Sequence, residues 1–337
     1  MDLHVEHHPA ATTMRALRQQ SDRGPDDLVL TRLPRPTAGP GEYLIRVGAA
    51  GVNFADVMQT RGTYGGGPQP PYPAGFEAAG EIVSVGPAIT DPFPIGTRLV
   101  GIGAGAFAEY VTISADAALP VPSGWSAAEA VGMVLNWVTA LAALRPLGEV
   151  RAGEVVLVHA AAGGVGQAAV RLARHYGARV IATASAAKHD IIRALGAEEV
   201  VDRRRPDLAE EIRRLTGGVD LVLESVGRET FEVSLTVAKP FTGRVVIFGA
   251  ASGEAGVTTH ELVFTHHAQL KGLHVGALAA DAPAVYRALL AELDGLIAHG
   301  VYPPGTPHVH PLSDGPAVLR QLEAGRTSGK HALDPWR

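Results

Sequence analysis

Between Glu154 and Phe248 short, strongly apolar runs alternate with longer amphipathic ones, and no other feature restricts the possible folds of this chain as much. Val155–His159, Arg179–Thr183, Glu199–Val201, Asp220–Glu224 and Arg244–Phe248 read as buried-type strands, because β-branched and other apolar residues dominate them with little polar alternation. Gly164–Tyr176, Lys188–Leu195, Leu208–Leu215 and Glu229–Ala238 read as the helices between them. In the first helix Val165, Ala168, Ala169, Leu172, Ala173 and Tyr176 recur at helical spacing, which gives one apolar stripe to lay on a sheet. Strands joined by helices pair in parallel, so the predicted class is α/β with a doubly wound parallel sheet. A further β-type run, Gln269–Val275, is expected as its last strand. Helix Ala282–His299, a strand-like stretch Pro303–Pro311 and a last helix near Pro316–Glu323 are expected to follow.

At the end of the first strand stands Ala161-Ala162-Gly163-Gly164-Val165-Gly166, a variant of the dinucleotide fingerprint with Ala at the first glycine position. Gly163 and Gly164 let the backbone approach a pyrophosphate, the helix start at Gly164 and Val165 offers unpaired N–H groups and a favourable dipole, and Gly166 lets the helix pack close to the strand. Set between a strand and a helix and followed by further βα units, the turn marks a Rossmann dinucleotide-binding domain. An NAD site usually carries Asp or Glu about 20 residues past the loop, on the ribose 2′-OH. Here Ile181 to Lys188 contains no acid, and Ser185 and Lys188 stand in its place. Arg203, with Arg204 and Arg205, follows the third strand and is placed to reach the same end, where each charge-assisted hydrogen bond to a 2′-phosphate is worth about 1.5–3 kcal/mol. A solvated arginine turn is the expected role for two of the three. The pattern selects NADPH. Ser225 and Val226 after the fourth strand, and Phe248, Gly249 and Ala250 at the end of the fifth, lie on the carboxyl edge where such sheets bind ligands.

Upstream, the β-type runs Tyr43–Val47, Glu81–Val85, Arg98–Val100 and Ala108–Ile113 are separated by Gly and Pro, which reads as an irregular, mainly β module. Trp125–Leu147, rich in Ala, Leu and Val and carrying Ser126 and Glu129 at capping-box spacing, reads as helix. The 337 residues include no cysteine, which removes disulfide scaffolds, thiolate zinc sites, iron–sulfur clusters and cysteine nucleophiles. Only His, Asp and Glu remain as metal ligands. The adjacent pairs His7-His8 and His266-His267 do not face a common metal from a helix or strand, so no metal is expected. A formal charge of −5 gives no overall attraction to nucleic acid or anionic lipid. Met1–Thr13 holds three His and no apolar run and reads as a frayed tail rather than a signal or anchor. The longest apolar runs are strand-length, far below the ~20 residues of a membrane helix, and a soluble cytoplasmic protein is expected.

Taken in order, Ala50-Gly51-Val52-Asn53-Phe54-Ala55-Asp56, Gly75-Phe76-Glu77-Ala78-Ala79-Gly80, Ala106-Phe107-Ala108-Glu109-Tyr110, the run His159 to Gly166, Ser225-Val226-Gly227 and Gly329-Lys330 form an extended pattern. It resembles the medium-chain dehydrogenase/reductase superfamily, in its zinc-independent quinone oxidoreductase branch, over about Met14 to Leu333. The resemblance implies a GroES-like, mainly β catalytic domain of residues 14–137 and 276–337 and a Rossmann NADPH-binding domain of residues 138–275, with residues 1–13 as a flexible tail. It also implies a homodimer or tetramer paired through the strand 269–275. Asn53 stands where zinc-dependent relatives carry Cys, and Phe76 where they carry His. By the same resemblance Asn53 faces nicotinamide and substrate, Tyr64 supplies a phenol near the site, Asn136 and Thr139 contact the nicotinamide side, and Lys330 reaches the adenosine side. Met58 departs from relatives with a further Tyr there, and Glu77 is expected in a structural hydrogen bond.

An amide and a phenyl ring cannot replace a thiolate and an imidazole around tetrahedral zinc. Without that Lewis acid, turning an alcohol into a hydride-donating alkoxide is disfavoured, which leaves reduction of an acceptor already electrophilic at carbon. The expected reaction is hydride transfer from NADPH to a quinone or an α,β-unsaturated carbonyl, with hydrogen-bond donors on the growing oxyanion. A quinone reductase, a trans-acting or small-molecule enoyl reductase of secondary metabolism, and a catalytically silent nucleotide-binding protein all stay open. NADPH is expected to outperform NADH in kcat/KM, and Lys188→Ala combined with Arg203→Ala to erase the difference. Equal kcat/KM for the two cofactors in the unaltered protein would contradict the reading of this strand end.

Overall fold

The computed structural model describes residues 12–337. The chain opens with β1 (Thr13–Gln19) and β2 (Leu28–Pro34), an antiparallel pair in register from Thr13 opposite Pro34 to Gln19 opposite Leu28. β1 therefore starts at the end of the segment expected to fray; residues 1–11 of that segment, with the pair His7-His8, lie outside the described residues. Next come β3 (Glu42–Val52), α1 (Phe54–Thr60), β4 (Tyr72–Pro73), β5 (Glu77–Val85), β6 (Arg98–Ile102), β7 (Tyr110–Ser114) and β8 (Leu119–Pro120). β3 is the hub, antiparallel to β5 with two register shifts and to β7.

The capping box forms as expected: the Ser126 N–H donates to Glu129 Oε2 at 2.7 Å and the Glu129 N–H to Ser126 Oγ at 3.2 Å, opening α2 (Ala127–Ala130). The single helix expected over Trp125–Leu147 is interrupted. Val131 is extended, Gly132 turns left-handed at φ 100°, and a five-residue π-type turn, Met133–Trp137, leads into α3 (Val138–Leu144). Ala127–Leu144 has the length and mean hydropathy, 1.5, of a membrane span, so not every apolar run is strand-length; 78% of it is buried in the fold.

Beyond α3 the alternation appears as read: β9 (Val155–Val158), α4 (Gly164–His175), β10 (Arg179–Ala184), α5 (His189–Leu195), β11 (Glu199–Asp202), α6 (Leu208–Thr216), β12 (Leu221–Glu224), α7 (Phe231–Val237) and β13 (Arg244–Ile247). After α8 (Thr259–Glu261), the last strand β14 spans Gln269–Gly272 rather than reaching Val275. Val275 instead opens α9 (Val275–Asp281), where the His274 ring accepts the Ala277 N–H at 3.1 Å, and α10 (Pro283–Ala298) follows. All six strands are parallel in the order β11-β10-β9-β12-β13-β14, the doubly wound arrangement, around a core of Leu157, Ile181, Val222 and Val245.

The chain then adds β15 (His308–Pro311), α11 (Gly315–Glu323) and β16 (His331–Asp334). β16 pairs antiparallel with β3, so the first sheet runs β15-β16-β3-β5-β6-β8 with β7 also on β3, while β2-β1-β4 form a small second sheet. Tyr43, Ile45, Phe107 and Leu333 lie at the centre of that unit's core.

Among the described residues two compact units result: one comprises 12–131 with 305–326 and 331–337, the other 132–304 with 327–330. Residues 276–304, expected with the catalytic domain, thus fall in the Rossmann unit. Side-chain contacts hold them there: the Trp137 and Tyr302 rings stack with centroids 3.7 Å apart, and Glu292 receives the Tyr176 hydroxyl at 2.7 Å and Arg145 at 3.1 Å. Burial and the Glu292 carboxylate push the Tyr176 phenol well above its ordinary pKa, so it remains a donor. Tyr302→Ala is expected to cost about 3–5 kcal/mol in urea unfolding, the usual range for deleting a buried aromatic ring, and Tyr302→Phe to keep most of it. A loss below about 1 kcal/mol for the Ala variant would mean that the stack does not hold this segment.

Candidate active site

β9 carries the chain into the glycine-rich turn and α4 carries it out. Gly163 caps α4 with extended backbone, no side chain occupies the cap, and no acid stands in the first helical turn. The opening N–H groups and the positive helix end are thereby left to a ligand. The three glycines divide the work differently from the sequence expectation. A Cβ on Gly166 would lie 2.5 Å from the Ala160 carbonyl oxygen and 2.6 Å from Ala161 Cα, and one on Gly164 would lie 2.7 Å from Asn136 Oδ1. One on Gly163 would meet only the Ala160 oxygen, at 3.4 Å, an ordinary contact. Packing thus requires Gly164 and Gly166, whereas Gly163 leaves room toward the outside, which fits the approach of a pyrophosphate. Val165 lies in the first turn. Asn136, 7% exposed, is brought directly against this helix start, and Thr139, equally buried, lies two residues past the π-type turn, in α3.

At the β10 end, Ser185 precedes a short turn and its carbonyl accepts the Lys188 N–H at 2.9 Å. Lys188 Nζ donates to the Thr327 carbonyl at 2.7 Å, and burial, then the neighbouring Arg203 charge, holds this ammonium below the ordinary lysine pKa. Arg203, whose charge acts on that ammonium, pairs with Glu229 at 3.1 Å. Arg205 pairs with Asp207, so its guanidinium is a solvated turn residue. Sequence reading missed Thr327 and Gln167 and gave no contact to Gly329, which it named only as part of the pattern: the Gly329 N–H and Gln167 Nε2 both donate to the Ala162 carbonyl, at 2.9 and 3.0 Å, locking residues 327–330 onto the loop. Lys330 runs beside Gly132, its Cε 3.8 Å from the Cβ position there, and Gly329, at φ 69°, makes the turn before it.

The β12 and β13 ends interlock. The Phe248 N–H donates to the Glu224 carbonyl at 2.9 Å, the Ala251 N–H to Ser225 at 3.2 Å and the Ser252 N–H to Val226 at 2.7 Å. A Cβ on Gly249 would lie 2.8 Å from the Ser225 oxygen. Ser225, Val226, Phe248, Gly249 and Ala250 are thus assembled at one place on the carboxyl edge.

In the first unit the chain leaves β3 at Asn53, whose backbone N–H donates to Asp56 Oδ2 at 2.7 Å and so starts α1. Asn53 Nδ2 donates to the Gly51 carbonyl and to Glu77 Oε2, both at 3.3 Å, with Glu77 wholly buried. Both hydrogens of the amide are engaged within this unit, so it positions rather than serves as a spare oxyanion donor, and Glu77 takes the structural hydrogen bond expected of it. Tyr64 packs on Phe76 with centroids 5.3 Å apart, and burial, then the Asp56 charge, raises its phenol pKa. Asn53, Asp56, Tyr64, Phe76 and Glu77 form one cluster. Among the described residues no three His, Asp or Glu side chains converge as a metal-ligating set. His266 lies beside Glu232 while His267 lies against Phe241.

A family model for the alcohol dehydrogenase GroES-like domain matches residues 39–123, and one for zinc-binding dehydrogenase matches 164–294. A mycobacterial protein solved with NADPH is similar over 96% of this chain and 100% of that one, with 32% identity and a TM-score of 0.90. The quinone oxidoreductase of Pseudomonas syringae pv. tomato is similar over 96% and 100%, at 30% identity and a TM-score of 0.88, and the CurK enoyl reductase over 96% and 99%, at 30% and 0.85. A mycocerosic acid synthase-like polyketide synthase of Mycobacterium tuberculosis is 36% identical over 89% of this chain, which spans only 14% of that protein's length.

The glycine geometry separates two substitutions. Gly166→Ala is expected to lower the melting temperature and dinucleotide affinity together, because a carbonyl must move. Gly163→Ala is expected to leave the melting temperature nearly unchanged and to weaken dinucleotide binding by about tenfold, or about 1.4 kcal/mol. Calorimetric titration of both variants checks this, and unchanged binding by Gly163→Ala would contradict the role given to that glycine.

Proposed function

The chain belongs to the zinc-independent branch of the medium-chain dehydrogenase/reductase superfamily, a family of oxidoreductases, and on that premise we propose that it reduces a quinone or an α,β-unsaturated carbonyl with NADPH. When bound, NADPH supplies the hydride. The observation that carries the reading is the cluster around Asn53. Where zinc relatives set a thiolate and an imidazole, an amide is bonded to the buried Glu77 and a phenyl ring carries Tyr64. Such a set can orient a polarised acceptor and donate a hydrogen bond to it, but supplies none of the soft or imidazole ligands that zinc selects.

The remaining roles fall to residues of this chain. The open start of α4 at Gly163 binds the pyrophosphate, and Lys188 with Arg203 holds the 2′-phosphate by charge-assisted hydrogen bonds. Asn136, Thr139 and the turns at 225–226 and 248–250 orient the nicotinamide, and Lys330 stands beside Gly132 on the same side. Tyr64, a phenol protonated at neutral pH and held so by burial, donates a hydrogen bond to the oxygen on which negative charge grows. Asn53, its amide hydrogens engaged, fixes the start of α1 rather than donating.

A second reading, a trans-acting enoyl reductase on carrier-bound thioesters, is favoured by the 36% identity to a segment of a polyketide synthase and by the likeness to an enoyl reductase. We also propose a homodimer contact along β14, an edge strand of its sheet.

NADPH oxidation is to be followed with simple quinones, small enones and carrier-bound enoyl thioesters. Turnover with at least one acceptor is expected, and the preferred class decides between the two readings; tight NADPH binding with no oxidation across the panel would leave a nucleotide-binding protein. With the best acceptor, Tyr64→Phe is expected to lower kcat by about 10²-fold at unchanged NADPH affinity, the lower range for a lost general acid. If both Tyr64→Phe and Asn53→Ala retain full kcat at saturating NADPH, the site assignment is wrong.

A further inference from the structure

A buried polar row lies beneath the nucleotide-facing turns. The parallel register that sets Ala182 and Leu223 on either side of Val158 brings Thr183 and Glu224 on either side of His159, just where three strands end. His159 leads into the glycine-rich turn, Thr183 lies two residues before Ser185, and Glu224 directly precedes Ser225. His159 Nδ1 and Thr183 Oγ1 are 2.8 Å apart. His159 Nε2 has no hydrogen-bond partner and lies 3.9 Å from Glu224 Oε2, with both side chains fully buried. Burial, opposed by the Glu224 carboxylate, keeps the imidazole below its ordinary pKa and neutral. The electrostatics then favour the Nε2–H tautomer, with the N–H rather than a lone pair toward the carboxylate.

Glu224 acts only as an acceptor, and its two oxygens face different elements. Oε1 receives the N–H groups of Val226 at 2.7 Å and Gly227 at 3.0 Å. Oε2 receives the Ser234 hydroxyl from α7 at 2.5 Å, and the Thr230 hydroxyl lies 2.8 Å from both oxygens. The Val226 carbonyl in turn receives the Ser252 N–H and hydroxyl, at 2.7 and 2.8 Å, so the carboxylate fixes the β12 turn and, through it, the β13 turn. Burying a carboxylate carries a desolvation penalty that an apolar residue at a strand end would avoid. What the apolar residue lacks is an acceptor that ties two consecutive turn N–H groups to the following helix.

We propose that Glu224 is a positioning residue for the dinucleotide: by accepting the Val226 and Gly227 N–H groups it holds Ser225, Val226 and the 249–252 turn in the shape that receives NADPH on the nicotinamide side of the switch between β9 and β12. This rests on the dinucleotide reading above. The test compares Glu224→Leu, Glu224→Asp, Glu224→Gln and Ser234→Ala by NADPH fluorescence titration, melting temperature and the split of NADPH KM against kcat, all in the full chain. Gln keeps a carbonyl oxygen for the turn N–H groups and turns its amide to the hydroxyls of Thr230 and Ser234, which can accept. It is expected to bind within about threefold of the unaltered protein. Leu removes the acceptor, and Asp is too short to serve turn and helix at once; each is expected to weaken NADPH binding by about tenfold or more. Ser234→Ala removes a bond to the same carboxylate without touching the turn, and is expected to lower the melting temperature at unchanged affinity. If Leu does not fold, Asp carries the test. Unchanged affinity in a folded Leu or Asp variant, or an equal loss in Ser234→Ala, overturns the proposal. Failure of the unaltered protein to bind NADPH would overturn the dinucleotide reading itself.

Discussion

The helix α4 begins where it does because nothing projects from Gly166 toward the Ala160–Ala161 backbone. The space there, 2.5 Å from the position of a Cβ to a carbonyl oxygen, is too small for a methyl group. That close approach presses the helix onto the strand that feeds it, and the consequences spread outward. Asn136 settles on the space left at Gly164, the Ala162 carbonyl is presented to Gly329 and Gln167, and the uncapped helix end is held at the carboxyl edge of the sheet. The features that make the Rossmann unit a nucleotide site are thus arranged around one backbone contact that only glycine permits.

Buried acids organise both units in the same manner. Glu77 accepts from the amide of Asn53, and Glu224, which accepts from several donors, fixes the turn after β12. A carboxylate satisfied by several donors holds its neighbours in one arrangement, which is what hydride transfer between two oriented partners requires. In the chemistry proposed here, these acids act through the groups they hold.

The doubly wound sheet was legible because its strands are covered on both faces and therefore apolar throughout, so the alternation with helices shows directly in the residues. The first unit was less legible. β1 and β2 place arginines among their apolar residues, and β16 is four residues, His331–Asp334, that become a strand only by pairing with β3. The break at Gly132 inside an otherwise helical run hung on one residue's backbone, and the membership of residues 276–304 on the Trp137–Tyr302 stack and on Glu292, contacts between residues more than a hundred positions apart. At the site, the loop, Lys188 and Arg203 were readable from spacing and charge, whereas the turning of Lys330 toward Gly132, the engagement of both Asn53 amide hydrogens and the role of Glu224 depend on distances. An acid ending the apolar run Leu221-Val222-Leu223 was the one signal in the residues that pointed to Glu224.

The central claim, that the protein transfers hydride to an acceptor carbon polarised by hydrogen bonds, is tested most directly by isotope. Reduction of an α,β-unsaturated ketone with NADPH deuterated in turn at each of the two C4 positions should place deuterium at the product β-carbon from one label and leave it unlabelled from the other. Product formed with deuterium from neither label, its new β-hydrogen coming from solvent, would contradict the account.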